Sequence, residues 1–124
     1  MTVALVLLGG AVGAPLRYLV DLLVRSRNRS GFPWGTFLVN VTGSLALGVL
    51  MGVVGSGDAP TWLVPLVGTG VCGAFTTFST FGFETVRLLE EGEARTAAAN
   101  SLGSLAVGLG AFAAGHAATV ALLA

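Results

Sequence analysis

Side-chain charge in this chain of 124 residues is gathered into a few short patches, and the stretches between them are long enough to cross a bilayer. Phe32–Gly57, Ala59–Phe83 and Thr96–Ala124 contain no Asp, Glu, Lys or Arg. A hydrocarbon core about 30 Å thick needs about 20 residues of helix, so each of these runs predicts one span. Met1–Leu16 is also free of charge. It reaches the required length if Arg17 lies near the end of a helix continuing to about Val24, where its long side chain can snorkel to the interface. The spacing therefore predicts four spans, at about 2–24, 33–54, 62–89 and 95–123. Backbone groups in lipid have to be satisfied within the structure, and the period-two alternation of a membrane barrel is absent. The expected class is all-α: a polytopic membrane protein with four transmembrane helices, in a single domain covering residues 1–124. A cleaved leader fits poorly, because no basic segment precedes the first run and a membrane-embedded chain follows it.

Composition excludes a water-facing globule. Hydrophobic residues make up 54% of the chain and charged residues 10%, with a mean hydropathy of +0.88, whereas a soluble domain is about one quarter charged. Lys+Arg and Asp+Glu number 6 each, so there is no basic field for nucleic acid. Cys72 stands alone, which rules out a disulfide framework and a multi-cysteine metal site. Turn formers fill the connections Ser26–Gly31, Gly55–Pro60 and Glu90–Glu93, and Trp34 and Trp62 sit at span starts as interfacial aromatics do. No extramembrane domain remains, so any function lies in the spans. The two halves of the chain do not look alike, and four short helices enclose little, so an oligomer is the expected way to complete a path. Among 19 glycines, Gly9–Gly13 and Gly48–Gly52, with Ala111–Gly115, form small-xxx-small pairs. Such pairs serve helix packing inside one subunit or contact between subunits equally well.

Polar residues interrupt the apolar runs at helical spacing. In span 2, Thr36, Asn40 and Gly43-Ser44 share a face; in span 4, Thr96, Asn100 and Ser104 do the same. An amide in lipid has to be hydrogen-bonded, so each stripe faces protein or water, as interhelical glue or as the lining of a path. Span 3 is the most unusual. Gly68, Gly70 and Gly73 weaken its helix, Thr76 and Thr77 follow, and a helix interrupted there frees carbonyl oxygens able to hold a hard cation. An unbroken glycine-rich helix packed closely on its neighbours is the other reading. Phe75, Phe78 and Phe81 then form a ladder with hydroxyl residues between them. Phenyl ring edges carry positive quadrupole charge, and with hydroxyl donors they can replace part of an anion's hydration shell without a fixed charge. Conduction requires such weak, multiple sites.

Three segments carry a family resemblance: Gly9-Gly-Ala-Val-Gly-Ala-Pro-Leu-Arg-Tyr18, Gly35-Thr-Phe-Leu-Val-Asn-Val-Thr-Gly-Ser44 and Gly70-Val-Cys-Gly-Ala-Phe-Thr-Thr-Phe-Ser-Thr-Phe81. They resemble the Fluc (CrcB) family of bacterial fluoride channels across spans 1 to 3, with TTFSTF the most specific part. The resemblance implies an antiparallel dimer in the bacterial cell membrane that passes fluoride passively out of the cytoplasm and limits its toxicity, through two pores. It implies a third helix broken near its middle, with a structural, untransported sodium ion on the backbone carbonyls of Gly73 and Thr76. It assigns the pore phenylalanines to Phe78 and Phe81 with Ser79 and Thr80 between them, the span 2 amide to Asn40, the first-motif arginine to Arg17 and the acid of the third helix to Glu84. In span 4 the polar track falls on Asn100 and Ser104, and Asn100 stands where many members place a tyrosine. Ala74 stands where many place a second glycine.

The residues themselves leave rivals. A small four-helix proton-coupled exporter would need a titratable acid mid-membrane, and span 1 offers only Asp21, near its end. A non-transporting membrane assembly protein would use the stripes for packing alone. No nucleophile–base pair, phosphate loop or metal-ligand cluster is present, so no enzyme is expected. His116 reads as a satisfied or end-of-helix histidine rather than a proton relay, Arg17 and Asp21 at i, i+4 as a structural pair, and Glu90, Glu91 and Glu93 as a solvated loop. Arg25, Arg27, Arg29, Arg87 and Arg95 all fall on one side of the membrane, and the other side has no Lys or Arg. The positive-inside rule then predicts one dominant orientation, with the arginines cytoplasmic and both termini outside. That bias favours a heterodimer with an oppositely inserted paralogue over a dual-topology homodimer.

Overall fold

The structure, a computed structural model, describes residues 1–124 and is helical throughout, with no strand. α1 is Thr2–Arg27 and α2 is Trp34–Gly55. α3 is a π-helical stretch, Val64–Cys72, that tightens into one α-helical turn, Gly73–Phe75. α4 is Phe78–Glu90 and α5 is Ala94–Leu123. Four segments are long and apolar enough to cross a membrane: Thr2–Arg27, Trp34–Gly55, Val64–Glu90 and Ala94–Leu123. The first runs past Val24 because Arg25 and Arg27 sit in its last turn, where cations face the negative end of the helix dipole.

Two connections use glycine for its left-handed backbone. Gly57 has φ 92°, and Gly92 has φ 77°. At Gly92 the N–H donates to Leu89 O at 3.2 Å and that of Glu93 donates to Leu88 O at 2.8 Å, the paired bonds of a Schellman cap that ends α4.

Glycine also sets the helix crossings. A Cβ on Gly9 would lie 2.1 Å from Leu66 O and 2.7 Å from Gly70 Cα, and one on Gly13 would lie 2.2 Å from Val71 O. α1 and α3 therefore meet backbone to backbone. The other seam joins α2 to α5: Cβ atoms on Gly48, Gly52 and Gly115 would strike Phe112 O, Thr119 Cβ and Leu45 O at 2.1, 2.7 and 2.6 Å. Both glycine pairs, and Gly115 of the third, thus pack inside the subunit. In lipid such close contact, rather than water exclusion, holds helices together. The buried apolar set is correspondingly small (Val39, Leu50, Cys72, Leu88 and Ala97), while leucines such as Leu7, Leu102 and Leu109 face outward.

Candidate functional site

α3 stops at Phe75, two residues run extended, and α4 starts at Phe78. Thr76 has φ −84° and ψ 161°, and Thr77 has φ −148° and ψ 122°. In a continuous helix the Thr77 N–H would close on the Gly73 carbonyl and the Thr80 N–H on the Thr76 carbonyl. Here side chains take those places. Asn40 of α2 clamps the Thr77 backbone at both its polar groups: its Oδ1 accepts from Thr77 N at 2.8 Å and its Nδ2 donates to Thr77 O at 2.9 Å. The Thr77 hydroxyl caps α4 by accepting from Thr80 N at 3.2 Å. Arg17 of α1 donates to Thr76 O at 3.3 Å, and the Thr76 hydroxyl donates to Cys72 O at 2.9 Å. Gly43 makes room for this step, since a Cβ there would lie 2.2 Å from Thr76 Cγ2. No buried side-chain nitrogen or oxygen is left unpartnered.

The step lies between two cavities, and Thr77 lines both. One, about 190 Å3, opens toward the arginine-bearing end among Arg17, Asp21, Arg25, Thr36, Thr80 and Glu84. The other, about 300 Å3, is a groove among Asn40, Ser44, Cys72, Gly73, Thr76 and Phe78. Across the first cavity Thr36 donates a short hydrogen bond to the Glu84 carboxylate, tying α2 to α4. The pairing of Arg17 with Asp21 does not form. Asp21 instead binds Arg25 at 2.6 Å, one turn further along α1, because Arg17 turns to the freed Thr76 carbonyl.

On α4, Phe78 and Phe81 stack obliquely with ring centroids 6.0 Å apart, and Phe78 is 83% exposed. Ser79 and Thr80 are exposed beside them, and the Thr80 and Thr77 hydroxyls meet at 3.0 Å. Phe75 belongs to α3, on the far side of the step, so the sequence ladder is cut between its first and second rungs. The span 4 stripe is placed apart from these rings. Asn100 is fully buried; its Nδ2 donates to the Thr85 hydroxyl at 2.8 Å, and Ser104 donates to its Oδ1 at 3.4 Å. Thr85 in turn donates to Phe81 O at 2.8 Å, so Asn100 stands two hydrogen bonds behind the Phe81 backbone. Thr85 escaped the sequence reading because a lone threonine on a helix has no distinguishing pattern. Likewise the target of Arg17 is 59 residues away and is a backbone atom. His116 stacks on Phe112 at 6.4 Å and faces outward.

No group of three His, Cys, Asp or Glu side chains gathers to hold a metal. The donors on offer to a cation are neutral carbonyl oxygens at the C-terminal end of α3, where the helix dipole is negative. The Gly73 carbonyl has lost the Thr77 N–H and suits a hard monovalent cation. The Thr76 carbonyl keeps a second lone pair but already faces the Arg17 guanidinium, so Gly73 fits better than Thr76. Two carbonyls fall short of a cation's full shell.

Residues 4–116 match the profile of the family described as CrcB-like protein, Camphor Resistance (CrcB). Similar proteins include one named Fluoride-specific ion channel FluC 1 from Frankia casuarinae, 53% identical over 118 residues that cover 91% of this chain and 92% of the relative. A protein of the same name from Streptomyces avermitilis is 55% identical over 111 residues, covering 90% of each chain. Another from Thermobifida fusca is 43% identical over 118 residues, covering 95% of each.

Proposed function

The chain belongs to the CrcB family, and from that premise we propose a fluoride-specific ion channel: a multi-pass protein of the bacterial cell membrane, not an enzyme, that lets fluoride leave the cytoplasm passively and so limits its toxicity. The observation that carries this reading is the extended Thr76–Thr77 step leading directly into the Phe78–Phe81 face of α4. Fluoride is small and strongly hydrated, so a path has to offer partial replacement of water without holding the ion. The cavity that Thr80 lines sets Arg17 and Arg25 against Asp21 and Glu84, so its formal charge balances and it receives the anion without a strong fixed field. Beyond it, Ser79 and Thr80 hydroxyls and the edges of Phe78 and Phe81 supply weak, successive donors. Arg17 is the cation beside the step, and its bond to Thr76 O keeps it on the backbone rather than on the ion. Asn40 serves the path by holding the Thr77 backbone, Glu84 by fixing α4 to Thr36, and Asn100 with Ser104 by supporting the turn of Phe81.

The functional unit is an antiparallel dimer with two pores. Four helices of one chain leave the groove at Gly73 and Phe78 open, and an oppositely inserted second subunit closes it. The Gly73 carbonyl, with that of Thr76, would hold a structural sodium ion, which would supply fixed positive charge and is not transported. The one-sided placement of Arg25, Arg27, Arg29, Arg87 and Arg95 favours a partner that is an oppositely inserted paralogue over a second identical chain.

The test is efflux from proteoliposomes loaded with fluoride, chloride or a drug cation. Fluoride alone should leave. Phe78→Ile and Phe81→Ile, which remove the ring edges and keep apolar side chains, should each cut fluoride efflux with the dimer intact. Efflux of the drug cation in place of fluoride, or undiminished fluoride flux in both single variants and the double, overturns the reading.

A further inference from the structure

Where α1 ends and α2 begins, an open cleft of about 580 Å3 lies between them. Its floor is apolar, made by Leu23, Val24 and Leu38, and Trp34 forms a wall, while Arg27 and Arg29 stand on its rim. These two arginines have no carboxylate partner. Arg25 is bound to Asp21 at 2.6 Å and Arg87 to Glu91 at 3.4 Å, and no other ion pair forms in the chain. The rim is also held in shape. Asn28 Oδ1 accepts from Ser30 N at 3.0 Å and from Ser30 Oγ at 2.8 Å, and its Nδ2 donates to Phe32 O at 2.9 Å. The polar side chains of that loop are therefore engaged, and the two guanidinium groups are the donors left to a ligand.

Depth in the membrane follows from the aromatics. Phe32, Trp34 and Phe37 cluster with ring centroids 4.7 to 5.7 Å apart, and Trp34 is partly exposed. A tryptophan at the start of a span sits at the headgroup level. The rim then lies among headgroups and the floor among acyl chains. A free phosphate would leave the floor bare, and a zwitterionic lipid would bring its own cation against Arg27 and Arg29. We propose that this cleft binds one anionic phospholipid per chain, its phosphate on the two guanidinium groups and an acyl chain along Leu23 and Leu38.

The experiment is native mass spectrometry of the purified full-length protein, titrated separately with phosphatidylglycerol, phosphatidylcholine and inorganic phosphate. Phosphatidylglycerol should saturate at one tightly held molecule per chain, at least about tenfold tighter than phosphatidylcholine, with no phosphate adduct. Arg27→Gln with Arg29→Gln should weaken phosphatidylglycerol about 30-fold and leave phosphatidylcholine unchanged, from the attraction of two arginines to an anionic lipid. Arg87→Gln with Arg95→Gln removes the same charge from the same side and should leave the affinity unchanged. Leu38→Trp fills the floor beneath an intact rim and should displace the lipid. Equal affinity for both lipids, phosphate binding as tight as phosphatidylglycerol, an unaltered Arg27/Arg29 double variant, an equal loss in the Arg87/Arg95 pair, or retention in Leu38→Trp each overturns the proposal.

Discussion

Replacing Asn40 by alanine tests whether one side chain holds the extended step open. The substitution removes two hydrogen bonds, at 2.8 and 2.9 Å, from the N–H and C=O of one residue, Thr77, and so from the two peptide groups that flank it. A polar group left unpartnered away from water costs about 1–3 kcal/mol. Measured interhelical hydrogen bonds in membranes average about 0.6 kcal/mol and reach about 1.7, because the freed groups find other partners. Here such a partner exists: the Thr77 N–H can close on the Gly73 carbonyl and heal the helix. The expected loss of stability is therefore about 1–3 kcal/mol, accompanied by a fall in fluoride flux, since the healed backbone no longer presents Phe78 and Thr80 as before. Asn40→Asp separates the two effects. It keeps the acceptor for Thr77 N and loses the donor to Thr77 O, and it sets a carboxylate beside the anion path, so flux should fall further than stability does. The assays are equilibrium unfolding of the reconstituted protein and fluoride efflux from liposomes. An Asn40→Ala protein within about 0.5 kcal/mol of the parent, with unchanged efflux, would refute the clamp.

Three further outcomes are expected. Gly9→Ala should prevent folding or assembly, because its Cβ meets the α3 backbone at 2.1 Å, whereas Gly10→Ala, whose nearest neighbour is Ala74 Cβ at 3.9 Å, should be tolerated; yields of membrane-inserted protein compare the two. Exchanging sodium for a large organic cation should lower efflux or dimer order, while Thr76→Ser, which keeps the carbonyl, should be nearly silent; full activity in rigorously sodium-free buffer counts against the central ion. A reporter on the C-terminus of the chain expressed alone should be found outside in most molecules, and equal inside and outside populations with fluoride conduction would restore a dual-topology homodimer.

The helices were legible because a bilayer imposes one length on every charge-free run, and the arginine and glutamate patches mark where each run stops. The chemistry at the step was legible only in outline. Thr76, Thr77, Phe78 and Phe81 stand out by composition, and Asn40 by being an amide in an apolar helix. Their partners are backbone atoms on other helices, and a backbone atom has no letter in the sequence. For that reason neither the Asn40 clamp on Thr77 nor the bond from Arg17 to Thr76 O was visible, and a helical spacing rule steered Arg17 to Asp21 instead. The π-helical winding of Val64–Cys72 was hidden for a related reason. Gly68 and Gly70 permit it, but the neighbours they meet, Leu50 of α2 and Gly9 of α1, lie far away in the sequence.

The crossing of Gly9 and Gly70 also bears on how such a chain is inherited. A Cβ on Gly9 would lie 2.7 Å from Gly70 Cα, and a Cβ on Gly70 would lie 2.8 Å from Gly9 Cα. Most packed pairs can trade volume, one side chain growing as its neighbour shrinks, and that exchange leaves correlated substitutions in descendants. Here neither partner has anything smaller to become. Every substitution at one position is a loss that no change at the other can repair, so the pair can only stay fixed. This glycine-on-glycine crossing is therefore one that covariation among descendants would never report.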